Sequence, residues 1–559
     1  MEETDEIKIR LRTDPRAPFE SISVKKGLLL SELADAYRPK LPYRILAAKV
    51  NRQIRELNKP IDEPDDITLL DMRVNAVNLM YQRSLSLLYL KAIRDVFGRM
   101  EVFLGNSLNK GIYTLLRRGT NLSAEELRTL DRRMRALVEA DIPFTKEIVD
   151  RETALAHLRE DGSAGKIRLL ESAADFEWIA FYALDGFRNY FYGQMLPSTG
   201  YIEHFELRTY RNGVLLRFPH PAKPDEIPPY TDEKKLYGAF GEANRWGELL
   251  GISMAADLNE RAFGDRAVEM IQLSEALHEK SIAGIADRVA KENKRLLLIA
   301  GPSSSGKTTF ARRLCIQLKV IGRDPLLLGT DDYFLERADC PLDAFGEKNF
   351  EDITALDADL FNSHMNALLR GETADIPRYD FHEGRKYFGE RLTKGKPRQI
   401  IVIEGIHGLN RQLTAGIDDR EKFKIYISPL TALNIDEHNR IPTTDIRLLR
   451  RMVRDARSRG IDAKRTIATW PSVRAGEDRN IFPFSGEADV LFNSAHIYEL
   501  AVLKKYAMPL LDAIAETEEE YSEAYRLKRF LQFFKTIEDD SAIVNNSILR
   551  EFIGGSIFE

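Results

Sequence analysis

The chain has 559 residues, 43% hydrophobic and 30% charged, with a net charge of −5 at pH 7; this exceeds one ordinary core and predicts about three domains of a soluble globular protein. A sequence pI of about 6.1 gives no electrostatic case for general nucleic-acid binding. No apolar run approaches the ~18 residues of a membrane span, the acidic start Met1-Glu2-Glu3-Thr4-Asp5 is not a signal peptide, and two cysteines, Cys315 and Cys340, imply no disulfide framework and fit a reducing cytoplasm.

In chain order, Ile7-Lys8-Ile9-Arg10-Leu11 alternates as a strand, residues 28–37 have helical spacing, and residues 45–50 and 67–70 supply later strands, so residues 1–75 predict a small α/β unit. Residues 77–160 read as largely helical. Residues 165–220 read as short strands with turns at Pro197-Ser198-Thr199-Gly200 and Arg211-Asn212-Gly213. A second domain is therefore expected over residues 76–225. The proline-rich stretch at 220–229 reads as a loop and candidate linker. Ile282, Ile285 and Val289 recur at helical spacing, and residues 226–293 are expected to be linker and helical connector. From residue 294 to 559 strands alternate with helices, which predicts a doubly wound parallel sheet followed by C-terminal helices, with Phe530, Phe533 and Phe534 closing its core or, as the second reading, forming a subunit contact.

That last region carries the chemistry. Leu296–Ala300 is an apolar run, and Gly301-Pro302-Ser303-Ser304-Ser305-Gly306-Lys307-Thr308 fits the G-x-x-x-x-G-K-[ST] phosphate loop, followed by a helix from Thr309. Such a loop turns its N–H groups toward nucleotide phosphates and the helix N-terminus adds positive potential. Residues 301–309 are thus the expected ATP contacts, Lys307 bridging the β/γ oxygens and the Thr308 hydroxyl holding Mg²⁺. A second apolar run, Leu326-Leu327-Leu328, leads to Asp331 and Asp332, either of which fits the carboxylate that orients an acceptor hydroxyl; a turn or helix cap is the plainer reading. A third, Gln399-Ile400-Ile401-Val402-Ile403, ends at Glu404, an acid placed to hold Mg²⁺ directly or through water; His407 reads as a structural side chain. Arg447, Arg450, Arg451, Arg454 and Arg457 share about one helical face, and the set reads as a lid over the phosphates rather than a solvated surface paired with Asp445 and Asp455.

Six elements in order now resemble the uridine kinase and phosphoribulokinase family of P-loop kinases: the phosphate loop, Asp331-Asp332-Tyr333-Phe334, Asn349-Phe350-Glu351, Pro377-Arg378-Tyr379-Asp380-Phe381, Glu404-Gly405-Ile406, and Arg447 to Gly460. The resemblance implies Asp331 as the catalytic carboxylate, with Asp332 the fallback. It implies a nucleoside pocket lined by Phe350, Tyr379 and Phe381, with Glu351 near the ribose. It also implies that Arg451, Arg454 and Arg459 contact phosphate and substrate, Arg454 stabilising the transferring charge. The chain departs from the family pattern at Phe381-His382-Glu383-Gly384-Arg385, where the histidine is displaced, and at Ile461, where a basic residue is usual. Both positions belong to base recognition, so phosphoryl transfer is implied and uridine is left open.

Residues 6–73, through Val50-Asn51-Arg52-Gln53 and Asp65-Asp66-Ile67-Thr68-Leu69-Leu70, resemble the TGS β-grasp module of threonyl-tRNA synthetases. The following region, through Pro197-Ser198-Thr199-Gly200-Tyr201-Ile202-Glu203-His204-Phe205-Glu206-Leu207, resembles their α+β editing domain. Editing domains place a histidine pair and a later cysteine–histidine pair at a hydrolytic, metal-competent site. Here those positions map to Asn106 and Lys110, and to Phe191 and Met195. None supplies imidazole or thiolate, so the fold is expected without that chemistry. The expected function is ATP- and Mg²⁺-dependent phosphorylation of a nucleoside 5′-hydroxyl. The alternatives are a kinase of a phosphosugar or other small alcohol, and an ATP-switched RNA- or tRNA-binding regulator. Expected partners are a nucleoside and ATP, with RNA contact through the N-terminal half and self-association as further options, and no membrane.

Overall fold

In the computed structural model the described residues are 6–559 except 16, 174–175 and 343–347; the acidic start lies outside them. The first sheet sets Glu6–Arg12 parallel to Asp66–Leu70 at its centre, with Glu20–Lys25 antiparallel on one side and Ala47–Val50 and Gln53–Arg55 on the other. Ile9 and Leu11 alternate inward along the first strand, and Leu30, Leu33 and Ala34 give the helix Leu30–Tyr37 one apolar stripe to lay across the sheet. This is a β-grasp unit.

The second unit is an α+β layer built on one long buried helix, Asn75–Phe97. The largely helical reading of residues 77–160 is corrected here. A hairpin of Val102–Leu108 and Gly111–Leu116 follows the helix, and Thr145–Asp150 is a further strand. The hairpin turns at Asn109 and Lys110, both at positive φ, and neither is the Asn-Gly pair that usually announces such a turn. Between Ser163 and Ala173 the chain is helical before the expected short strands begin at Trp178.

Three helices, Lys234–Leu250, Ala255–Arg261 and Gly264–Lys291, make up most of the stretch read as linker and connector. The last packs on the helix Lys307–Val320, where buried Arg313 pairs with Glu279 at 2.6 Å. The C-terminal region is a five-stranded parallel sheet in the order Asp324–Gly329, Gln399–Glu404, Leu296–Ala300, Lys422–Ser428, Val490–Asn493, with helices on both faces. Leu296–Ala300 is buried throughout, as the central strand of such a sheet must be. Its core is continuous with residues 149–190 of the second unit; Phe530, Phe533 and Phe534 are all buried, and Phe533 meets Phe176 and Tyr192 at 5.0 and 5.4 Å. Cys315 is a buried thiol whose burial pushes it up to about 11. Among the described residues no helix is long and apolar enough to cross a membrane.

Candidate active site

The central strand delivers the phosphate loop to the C-terminal edge of the sheet, where ligands of such sheets gather. The parallel register sets Ile299 beside Glu404 and Glu404 beside Gly329, so the loop, Glu404 and the Thr330-Asp331-Asp332 turn are neighbours without any side-chain adjustment. Gly301 is obligatory because a Cβ there would strike the Ile427 carbonyl. Gly306 sits at φ +84°, and its missing Cβ is where Ile548 packs.

Half-buried Lys307 donates to the Gly301 and Pro302 carbonyls at 3.0 and 3.2 Å. Burial lowers its pKa, against the pull of Glu404, Glu551, Asp331 and Glu477. The Thr308 hydroxyl donates to Glu404 at 3.1 Å. Ser304 and Ser305 are buried with hydroxyls that have no partner. These features fit a nucleotide: unspent donors line the loop, and a hydroxyl beside a carboxylate is the oxygen set that Mg²⁺ takes alongside phosphates. Among the described residues no group of three or more His, Cys, Asp or Glu could hold a metal by itself.

Asp331 and Asp332 diverge. Asp332 is tied to the Tyr379–Lys386 hairpin, accepting from the Tyr379 N–H at 3.3 Å and pairing with Arg391 at 2.7 Å. Asp331 opens into the cleft. Crowding by protein raises its carboxyl above the ordinary range, while Lys307 pulls it back. Beside this turn the rings of Phe334, Phe350, Tyr379 and Phe381 form one edge-to-face cluster, Tyr379 and Phe381 at 4.9 Å and Phe334 and Phe350 at 5.3 Å. The buried Tyr379 hydroxyl has no partner and Phe381 is exposed. Glu351 lies against Gly476, its carboxyl raised by burial and then by Glu477. His382 is exposed in the turn that Asp380 caps. His407 is fully buried with neither ring nitrogen partnered, and burial lowers its pKa to about 4.

The arginine helix, Thr443–Ser458, is not one lid face. Arg447 and Arg450 are buried clamps: Arg447 donates to the Ser303 carbonyl at 2.9 Å and pairs with Glu477, and Arg450 pairs with Glu499 and reaches the Ser304 carbonyl at 3.4 Å. Glu477 completes the grip by accepting from the Ser303 N–H at 2.9 Å. Five arginines over about three turns wrap further than one stripe, so some of them are buried. Arg451, Arg454 and Arg459 remain at the cleft, and all three pair with Asp455, at 3.3, 2.8 and 3.6 Å. Arg451 also donates to the Ser303 hydroxyl at 2.9 Å. Asp445 turns away to Arg526.

Sequence reasoning missed two acids. Glu477 lies 174 residues from Ser303, and nothing near it announces a role. Glu551, in the C-terminal helix Arg550–Ile553, accepts from the Thr309 N–H and hydroxyl at 3.2 and 2.7 Å. The tail is held there by Arg457, which pairs with Glu559 and donates to the Glu551 and Phe552 carbonyls. Asp455 as a shared anchor was legible, since Arg451 and Arg459 stand four residues to either side of it.

Residues 296–501 match the Phosphoribulokinase / Uridine kinase family. This region is similar to kinases of that family. The kinase region is 29% identical over 203 residues to the uridine kinase of Ligilactobacillus salivarius, covering 36% of this chain and 86% of that one. It is 28% identical over 194 residues to the uridine kinase of Halobacterium salinarum, covering 34% and 77%. The N-terminal part is similar to the threonine–tRNA ligase of Syntrophomonas wolfei, 24% identical over 265 residues, 45% of this chain. The chain spans 40% of that ligase's length.

Proposed function

We propose that the protein is an ATP- and Mg²⁺-dependent kinase acting on the 5′-hydroxyl of a nucleoside. One observation carries this reading: Asp331 shares the cleft with Lys307 while the ring cluster at Tyr379 stands next to it with an unspent hydroxyl. Asp331 takes the proton of the attacking hydroxyl, a role worth about 10²–10⁴-fold in rate. Lys307, Arg451, Arg454 and Arg459 set positive charge around the transferred group, and the Arg447–Glu477 pair holds the loop that orients it. Thr308 and Glu404 would hold Mg²⁺, which when bound neutralises charge across the phosphate oxygens. The aromatic rings take a flat base on their faces and edges, and Glu351 accepts from vicinal hydroxyls. A reducing cytoplasm suits the two buried free thiols.

The test is ADP release by the full chain with ATP and Mg²⁺ against nucleosides, phosphosugars and no acceptor. Turnover with one nucleoside class supports the proposal. Turnover with a phosphosugar alone removes the pocket assignment and keeps the catalytic one. The ligase likeness favours a second reading, an RNA- or tRNA-binding regulator switched by ATP. That reading requires salt-dependent tRNA binding which survives Lys307→Ala, and no acceptor-dependent turnover.

A further inference from the structure

At the opposite end of the parallel sheet, about 15–20 Å from the phosphate loop by the rise of its five-residue central strand, lies a second cavity. It sits where the strands Leu296–Ala300, Asp324–Gly329 and Gln399–Glu404 begin, between the ends of the helices Gly264–Lys291 and Ala358–Arg370. Its volume is about 750 Å³, and seven of its fifteen lining residues are Lys or Arg with no Asp or Glu among them. That is unexpected in a chain whose net charge is −5.

Ordinary structural roles absorb four of the seven cations. Arg370 pairs with Glu372 and Lys396 with Asp324, at 2.8 and 2.9 Å. Lys294 donates to the Arg420 carbonyl at 2.9 Å and Arg295 to the Leu369 carbonyl at 2.8 Å, as cations near helix and strand ends do. Arg323, Lys394 and Arg398 have no ion pair among the described residues, and the Arg295 Nε is buried without a partner. Arg398 is held at φ +62°, a left-handed conformation that costs a non-glycine residue energy unless something compensates it. Val289, Leu369, Pro397 and Ile400 give the same cavity an apolar wall.

We propose that this cavity binds a small molecule carrying two or more linked phosphates on an apolar body, of nucleotide size, separately from the kinase cleft. The volume lies within the range of small-molecule sites. Linked phosphates match three cations without ion pairs, and the unspent Arg295 Nε, converging on one concavity, where a polynucleotide backbone needs a stripe of charge along the surface. Arg295, Arg323 and Arg398 grip the phosphates with Lys394 at the rim, and the apolar wall takes the remainder of the ligand.

The experiment titrates the full chain by calorimetry with inorganic tripolyphosphate, ATP and a 20-nucleotide RNA, in a Lys307→Ala background that disables the phosphate loop. One site for tripolyphosphate and for ATP is expected, weakened at least tenfold by adding Arg323→Glu and Arg398→Glu. Lys394→Glu alone, at an exposed position that folding tolerates, is expected to weaken both about threefold or more. Binding equal in all these proteins, or absent at millimolar ligand, overturns the site. RNA binding tighter than ATP and falling steeply with salt overturns the small-molecule assignment and makes this face a nucleic-acid contact.

Discussion

Two lysines crowded by protein, half-buried Lys307 in the phosphate-loop cleft and buried Lys166 where the N-terminal half meets the C-terminal region, have similar electrostatics and opposite meanings. Burial lowers the pKa of both, and nearby acids raise it again. Around Lys307 the surroundings are unfinished: two serine hydroxyls lack partners and the ammonium rests on loop carbonyls. Lys166 is finished. It bonds Asn189 and the His438 Nδ1, the latter at 2.7 Å. Asn434 donates to the Leu104 carbonyl at 2.9 Å, the Glu437 carbonyl accepts from the Leu104 N–H at 2.8 Å, and Asn439 donates to the Tyr190 carbonyl at 3.2 Å. The cavity left beside Phe191 and His438 measures about 40 Å³, room for about one water. A cation crowded by protein thus marks a site where its neighbours leave donors and space open, and a joint where they do not. This joint leads directly into the helix whose arginines clamp the phosphate loop, so the N-terminal half anchors the root of the candidate active site.

The largest effect expected is from Lys307→Ala, which should lower turnover about 10³-fold or more in the ADP-release assay while the protein stays folded. Asp331→Asn should cost about 10²–10⁴-fold in kcat, and Asp332→Asn far less, because Asp332 is committed to Arg391 and the hairpin. Near-full turnover of Asp331→Asn would break the assignment. The raised Asp331 carboxyl fixes a sign: as the base it must be ionised, so turnover falls as pH drops through a value above the ordinary carboxylate 3.8. Ionising it costs the folded state, so Asp331→Asn is expected to leave Tm unchanged or slightly higher at neutral pH. Glu477→Gln leaves the buried Arg447 charge unpaired, and about 3–5 kcal/mol of stability should be lost in denaturant unfolding.

The placement of the candidate site's strand ends was legible in the chain because parallel-sheet organisation is local: an aliphatic run, then a glycine loop or an acid, as at Ala300–Gly301 and Ile403–Glu404. The clamps were not, because whether an arginine meets phosphate or backbone depends on a partner far away in sequence. Arg447 and Arg450 have the spacing of Arg451 and Arg454, and only Glu477 and Glu499 separate their fates. The hairpin at Asn109–Lys110 escaped for a similar reason: its strands are amphipathic only against Val214–Leu216, about a hundred residues on. The likeness of the N-terminal half to a tRNA ligase was readable from its strand endings, but the contacts that His438 and Asn439 make with Asn189 and Tyr190, about 250 residues away, were not.

Glu551 separates site from joint more finely. It takes the Thr309 N–H and hydroxyl, donors at the position where a phosphate loop meets the α-phosphate, so a nucleotide and this carboxylate compete for them. Glu551→Gln removes the charge and keeps the shape; ATP should bind about tenfold tighter, equivalent to ~1.4 kcal/mol. Lys166→Met is the quiet counterpart. It should cost about 1–3 kcal/mol of stability, from the partners it leaves unpaired, and change turnover by less than about twofold. If Lys166→Met instead lowered kcat as Lys307→Ala does, the interface beside His438 would be part of the chemistry, and the distinction between a finished cation and an open one would fail.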